Sequence, residues 1–307
     1  MVKIRKSLRV FRFSNDIRQG LNPYYAKYYI MHKDTEIVEV AFQGERGAYG
    51  EAAAFLFFEK EIRVRPFEKL SEVFDAVEEG QTDFGIVPVE NSLAGSVGET
   101  YDLLLDSRLK VCGEIDFEIV HCLIVHPGAV LSEIETIYSH PQTLVQCRKF
   151  LESLECELVP THDTAGSVRI IKDQNLVKAG AIAGKKAAEI NGLEIIREGI
   201  EDIPHNCTRF FILSETDSPP SGKDKTSIIF SIKHTPSSLF NALREFAVRK
   251  INLTKIESRP TKRRPWEYDF YLDFEGHKGD KKCQIALRNL EEKSIFVKVL
   301  GSYPKSQ

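Results

Sequence analysis

Apolar and polar positions follow two rhythms along this chain. EIVEVAF (36–42) has the strand period of two, GERGAYG (44–50) follows as a turn, and EAAAFLFF (51–58) opens a helix. Leu70, Val73, Phe74 and Val77 take the i, i+3, i+4, i+7 spacing of one buried helical face, which Gly80 ends. DFGIVPV (83–89) reads as a buried strand, and further strands are predicted around 114–125 and 134–138. Pro141 opens a helix whose Leu144, Cys147, Leu151 and Leu154 share one stripe. CELVPT (156–161), a helix opened by Asp163, and the apolar AGAIAG (179–184) continue the series. Strands separated by helices predict an α/β architecture, a mostly parallel sheet covered on both faces.

SETDSPPSGKDKT (214–226) breaks the rhythm with the composition of an exposed tether. Beyond it TSIIFSIKH, a helix with Leu239, Ala242, Leu243 and Phe246 on one face, LTKIESRPT, YDFYLDFEGH, a helix with Cys283, Ala286, Leu287 and Leu290, and SIFVKVLGSY spell β-α-β-β-α-β. That is the ferredoxin-like order. The division is an N-terminal arm at 1–36, expected to be poorly ordered, a first domain at 37–214, a linker at 215–225 and a second domain at 226–307.

A chain of 307 residues suits two domains at about 150 residues each. Its net charge of −3 gives no general attraction to nucleic acid or to an anionic membrane. Lys262, Arg263, Arg264 and Trp266 are too short a basic run to change that reading. The six cysteines have no C-x-x-C pairing and read as reduced thiols. With neither a signal-peptide segment nor a bilayer-length apolar run, the expected compartment is the cytoplasm. The arm at 1–36 is rich in Lys and Arg, and Met31 is an alternative start of translation. No H-E-x-x-H, EF-hand or P-loop is present, so neither metal nor cofactor is expected.

Ligands of open α/β sheets bind where strands end, so polar residues in the turns that follow carry the most meaning. GERGAYG is either a tight turn or a backbone cradle for an anion. Glu90, Asn91 and Ser92 follow a buried strand; they could cap a helix, but three hydrogen-bonding side chains exceed what one cap needs. Ser139 and Gln146 flank the turn opened by Pro141, with His140 ranked below them. Asp163 suits an N-cap, leaving Thr164 and the amide of Ala165 to face a carboxylate. In HNCTRFFIL (205–213), Thr208 and Arg209 stand where a buried strand begins. Arg209 is either a two-pronged carboxylate clamp or one half of an internal ion pair.

VAFQGERGAYGEAA, VPVENSLAGSV, SHPQTLVQC, HDTAGS and NCTRF, in this order, resemble the signature segments of the prephenate dehydratases, a family that includes the arogenate dehydratases. The resemblance implies two lobes like those of a type II periplasmic binding protein, 37–112 with 192–214 and 113–191, with the substrate between them. It implies decarboxylating dehydration of prephenate to phenylpyruvate in L-phenylalanine biosynthesis. Thr208 becomes the catalytic residue and Arg209 the carboxylate clamp, with Glu90, Asn91, Ser92, Ser139, Gln146, Thr164, Ala165, Asn206 and Phe210 binding substrate.

The second domain resembles an ACT regulatory domain. Effector binding of phenylalanine then falls to Ser237, Ser238, Leu239, Asn252, Leu253, Glu257, Ser258, Arg259 and Pro260, in a homodimer or homotetramer. Ser237 and Ser238 replace the Gly-Ala of the family motif, and the domain could instead serve only as a dimer contact. Arogenate as substrate, and a non-catalytic sensor of aromatic acids, stand as alternatives.

Overall fold

The computed structural model describes residues 37–58, 61–261 and 266–306. The expectations for the arm at 1–36, for Met31 and for Lys262–Arg264 lie outside these residues.

The first lobe contains β1 (Val38–Gln43), α1 (Tyr49–Phe58), β2 (Ile62–Phe67), α2 (Leu70–Glu78), β3 (Phe84–Asn91), β4 (Gly95–Ser96), α3 (Gly98–Asp106) and β5 (Lys110–Glu118). The second follows with β6 (Cys122–Val125), β7 (Thr136–Ser139), α4 (Pro141–Gln146), α5 (Arg148–Glu152), β8 (Glu157–Pro160), α6 (Thr164–Asp173), β9 (Ala179–Ala183), α7 (Lys185–Asn191) and β10 (Glu194–Glu198). The chain then returns to lobe one as β11 (Cys207–Ser214). The sheet orders are β2-β1-β3-β11-β5, with β4 beside β3, and β10-β6-β9-β7-β8. Both sheets are mixed rather than mostly parallel, because the returning β11 runs antiparallel to β3 and β5, and β6 antiparallel to β9 and β10.

The crossings between lobes lie at 119–121 and 199–206, several residues beyond the boundaries at 112 and 191 read from the sequence. The single strand expected over 114–125 is in fact two, in different sheets. Backbone bonds tie the crossings together: Ile119 N–H donates to Asn206 O at 2.7 Å, and Gly199 and Ile200 N–H donate to His121 O at 3.0 and 3.2 Å. The helix expected from Pro141 is interrupted at Cys147, with φ −109° and ψ 21°, yet Leu144, Cys147, Leu151 and Leu154 still meet in one core.

The α2 face is buried as its spacing predicts, by Leu70, Val73, Phe74 and Val77, at roughly 1.5–3 kcal/mol for each side chain. No helix among the described residues is long and apolar enough to cross a membrane.

The last unit comprises β12 (Asp224–Ser231), α8 (Ser238–Ala247), β13 (Leu253–Pro260), β14 (Tyr268–Glu275), α9 (Lys281–Lys293) and β15 (Phe296–Pro304), an antiparallel sheet ordered β13-β14-β12-β15. This is the ferredoxin-like arrangement. One sheet face packs under α8 and α9 through Phe230, Leu272 and Phe274. The other lies on lobe one, where Ile229, Tyr271, Leu300 and Tyr303 share a core with Leu104, Val111 and Phe211. Gly301 permits this approach, since a Cβ there would overlap the Val111 carbonyl. The segment expected as an exposed tether is pinned: Ser218 is buried and its hydroxyl donates to Cys112 O at 2.6 Å.

Candidate functional site

A cleft of about 310 Å³ opens between the two lobes, lined by Tyr49, Glu68, Asn91, Thr208 and Phe210 on one side and His140, Gln146, His162, Asp163 and Thr164 on the other. His121 and Asn206, one on each crossing, line its base. Residues separated by more than a hundred positions meet here because β3 and β11 are neighbours, with Asn91 in register with Thr208.

The Asn91 amide organises the lobe-one wall. Its Oδ1 accepts from Leu93 N–H at 3.0 Å and Ala94 N–H at 2.9 Å. Its Nδ2 donates to Asn206 Oδ1 at 2.6 Å, Thr208 Oγ at 3.0 Å and Cys207 O at 3.2 Å. An amide nitrogen is a donor only, so Thr208 Oγ accepts there and keeps its proton for an acceptor in the cleft.

Across the cleft, His121 Nε2 lies 2.9 Å from Gln146 Oε1, and His121 Nδ1 lies 2.8 Å from the Tyr49 hydroxyl. Burial lowers the His121 pKa, with the Gln146 hydrogen bond and Glu201 opposing. Burial also keeps the Tyr49 phenol protonated by raising its pKa well above the ordinary value. Asp163 caps α6 by accepting from Gly166 N–H at 2.6 Å, and the first-turn amide of Thr164 has no carbonyl within the helix to reach. His140 caps α4 by accepting from Gln142 N–H at 3.2 Å.

Of the residues singled out in the sequence, Thr208, Asn91, Asn206, Gln146, Thr164 and Phe210 come together in this cleft. Others do not. Ser139 is fully buried and donates to Ile182 O at 2.7 Å, tying β7 to β9. Ser92 accepts from Cys207 N–H at 3.0 Å and fastens the loop after β3. Ala165 is buried in the lobe-two core, which limits it to its backbone amide. The GERGAYG turn is braced by the buried Glu51 carboxylate, which holds Gly47 N–H, and by Gly44 at φ +102°, while its Gly44, Ala48, Tyr49 and Gly50 do line the cleft.

Arg209 departs furthest from expectation. Side chains alternate along β11, so Thr208 and Phe210 face the cleft while Arg209 faces the ferredoxin-like unit. Its guanidinium lies 3.2 Å from Asp116, 3.5 Å from Glu90, 3.9 Å from Asp273 and 4.0 Å from Glu114. Burial disfavours its charge, but Glu114, Asp116 and Asp273 outweigh this and raise its pKa above the ordinary guanidinium value. Glu90 is committed to the same network, pairing with Lys255 at 3.0 Å. The ion-pair reading of Arg209 is therefore the one its geometry follows.

The residues expected to bind an effector lie at the start of α8 and on or just before β13. Ser237 adopts a left-handed φ of 67°, Leu239 and Leu253 pack into the core beneath the helices, and Asn252 is exposed. On β13, Glu257 and Arg259 turn toward lobe one, where Glu257 meets Ser96 and Arg259 meets Asp102 at 3.4 Å; Ser258 alternates to the other face. Arg259 and Pro260 line a second cavity, of about 440 Å³, with Asp102, Tyr271, Phe296 and Lys298.

The sequence reading missed Tyr49 and His121. His121 sits between apolar residues in IVHCLIV, inside what reads as one strand, and its partners Tyr49 and Gln146 lie far away in sequence.

Residues 40–218 match the model of the family described as prephenate dehydratase. The chain is 43% identical to arogenate dehydratase/prephenate dehydratase 2 of Arabidopsis thaliana, named as chloroplastic, covering 87% of this chain and 73% of that protein. It is 36% identical to the bifunctional chorismate mutase/prephenate dehydratase of Aquifex aeolicus, over 97% of this chain and 84% of that one. Among solved structures, the prephenate dehydratase of Arthrobacter aurescens in complex with L-Phe matches with a TM-score of 0.80 and 30% identity, covering 88% of this chain and 90% of its own.

Proposed function

The chain belongs to the prephenate dehydratase family, and we propose that its interlobe cleft converts prephenate to phenylpyruvate, water and carbon dioxide with Thr208 as the catalytic residue. The ring carboxylate leaves as carbon dioxide and its electron pair enters the ring. The ring hydroxyl departs as the ring becomes aromatic, and the departing hydroxide takes one proton to become water. A threonine hydroxyl is too weak an acid to supply that proton outright at neutral pH. Its contribution is a hydrogen bond to the charge growing on the leaving oxygen, in a site where water competes little.

The observation that carries this reading is the 3.0 Å bond from Asn91 Nδ2 to Thr208 Oγ, which leaves the Thr208 proton for the cleft. The first-turn amides of α6 and of α1 add positive potential for the substrate carboxylates. Gln146 and Asn206 orient the substrate, and Phe210 gives its ring an apolar wall.

Charge favours a second substrate. Among the described residues that line the cleft there is no lysine or arginine, whereas Glu68 and Asp163 are present. Arogenate carries an ammonium where prephenate carries a keto group, so its net charge suits these walls better. The ferredoxin-like unit supports regulation by phenylalanine, as an ACT domain, in a homo-oligomer. The deciding experiment supplies purified protein with prephenate and with arogenate in parallel. Formation of phenylpyruvate from the first or phenylalanine from the second supports the reading, and inertness toward both overturns it.

A further inference from the structure

The polar groups at the base of the cleft form one hydrogen-bond chain, and the backbone sets its direction. Asn91 Oδ1 is held by two main-chain donors, Leu93 and Ala94 N–H, so this amide cannot be reversed without facing donor against donor. Its Nδ2 therefore points at Asn206 Oδ1, which turns Asn206 Nδ2 toward Gln146 Oε1 at a long 3.5 Å. With its oxygen on that side, Gln146 can only accept from His121 Nε2. A neutral imidazole protonated at Nε2 is an acceptor at Nδ1, where the Tyr49 hydroxyl stands. Each residue is thus left one role, from Asn91 through to His121.

Resting on the dehydratase reading above, we infer that Tyr49 and His121 are positioning residues for the reaction. His121, as the neutral Nε2–H tautomer, holds Gln146 and Asn206 in line with Asn91, whose backbone-fixed amide leaves the Thr208 proton facing the substrate. The chain joins both lobes across both crossings, since His121 lies on the first and Asn206 on the second, each 1% exposed. Tyr49 comes from α1 of lobe one and Gln146 from α4 of lobe two. The Tyr49 hydroxyl has a second acceptor, Val120 O at 3.1 Å, and only a donor at His121 Nδ1 would send its proton there.

The test compares wild-type protein with Tyr49→Phe, His121→Leu and His121→Gln. Gln places an amide donor where Nε2–H was; Leu does not. Expected are a fall in kcat of roughly 10- to 100-fold for Leu with KM little changed, a smaller fall for Phe, and recovery of most activity by Gln. Nitrogen NMR of the wild-type imidazole should place the proton on Nε2. Equal loss in the Leu and Gln variants, a rise in KM with kcat intact, or a proton on Nδ1 overturns the inference. If His121→Leu does not fold, Tyr49→Phe and the NMR measurement decide. Wild-type protein inert toward both substrates would sink the dehydratase reading instead, while the NMR result would still fix the tautomer.

Discussion

Arg209 Nη1 on β11 stands 3.9 Å from Oδ2 of Asp273 on β14, which joins the strand bearing Thr208 to the ferredoxin-like unit by a charge pair. The Asp273 oxygen is buried with no hydrogen-bond partner among the described residues, and burial raises that carboxyl's pKa, with Lys225 and Ser227 opposing. Arg209 is thus the shared counter-ion of acidic groups from two domains.

Replacing Arg209 with Met should therefore act mainly on stability. Removing one partner of a buried ion network costs roughly 3–5 kcal/mol, and a side chain still 26% exposed belongs at the low end. Urea unfolding should show this loss with KM for prephenate little altered. A raised KM with intact stability would return Arg209 to the substrate.

Thr208→Val keeps the shape of the side chain and removes the donor. Turnover should fall by roughly 10²- to 10³-fold, the usual cost of one donor aimed at developing charge. Phenylpyruvate absorbance measures the rate, and circular dichroism confirms an unchanged fold.

Stability should decline as the solution is acidified. Burial, opposed by Gln146, lowers the folded pKa of His121 below 6.5, and burial with His162 repulsion does the same for His140. Below 6.5 the unfolded chain thus binds more protons than the native one, so this stability is complete above that pH and lost as pH falls toward the folded values. Melting temperatures between pH 8 and pH 5 measure the decline, and His121→Gln should reduce it.

Gly301→Ala would force β15 away from Val111 and loosen the ferredoxin-like unit. The expected signs are a lower melting temperature and faster proteolysis between residues 215 and 223. Unchanged behaviour in both would mean that the strands shift at no cost.

The sequence was most readable where one face of an element decides its burial. The ferredoxin-like order and the α2 stripe came through because their periods are unbroken. β2 was missed although Ile62, Arg63, Val64 and Arg65 alternate buried and exposed, because the run is short and is closed by Pro66, which an edge strand open to solvent tolerates. The motifs located Thr208, Asn91 and Gln146, but adjacency made Arg209 look like their partner. Strand alternation alone was enough to separate it from Thr208. The roles of Ser139 and His121 depend on Ile182, Tyr49 and Gln146, and no local pattern announces such long-range neighbours.

Because β11 slots between β3 and β5, lobe one cannot be completed on the ribosome until residue 214 has emerged. Residues 119–198 hold every strand of lobe two and can settle earlier. The nascent protein therefore passes through a stage with a finished inner lobe and an open gap in the outer one. In that interval the bare edges of β3 and β5 are what a chaperone would have to shield from other chains.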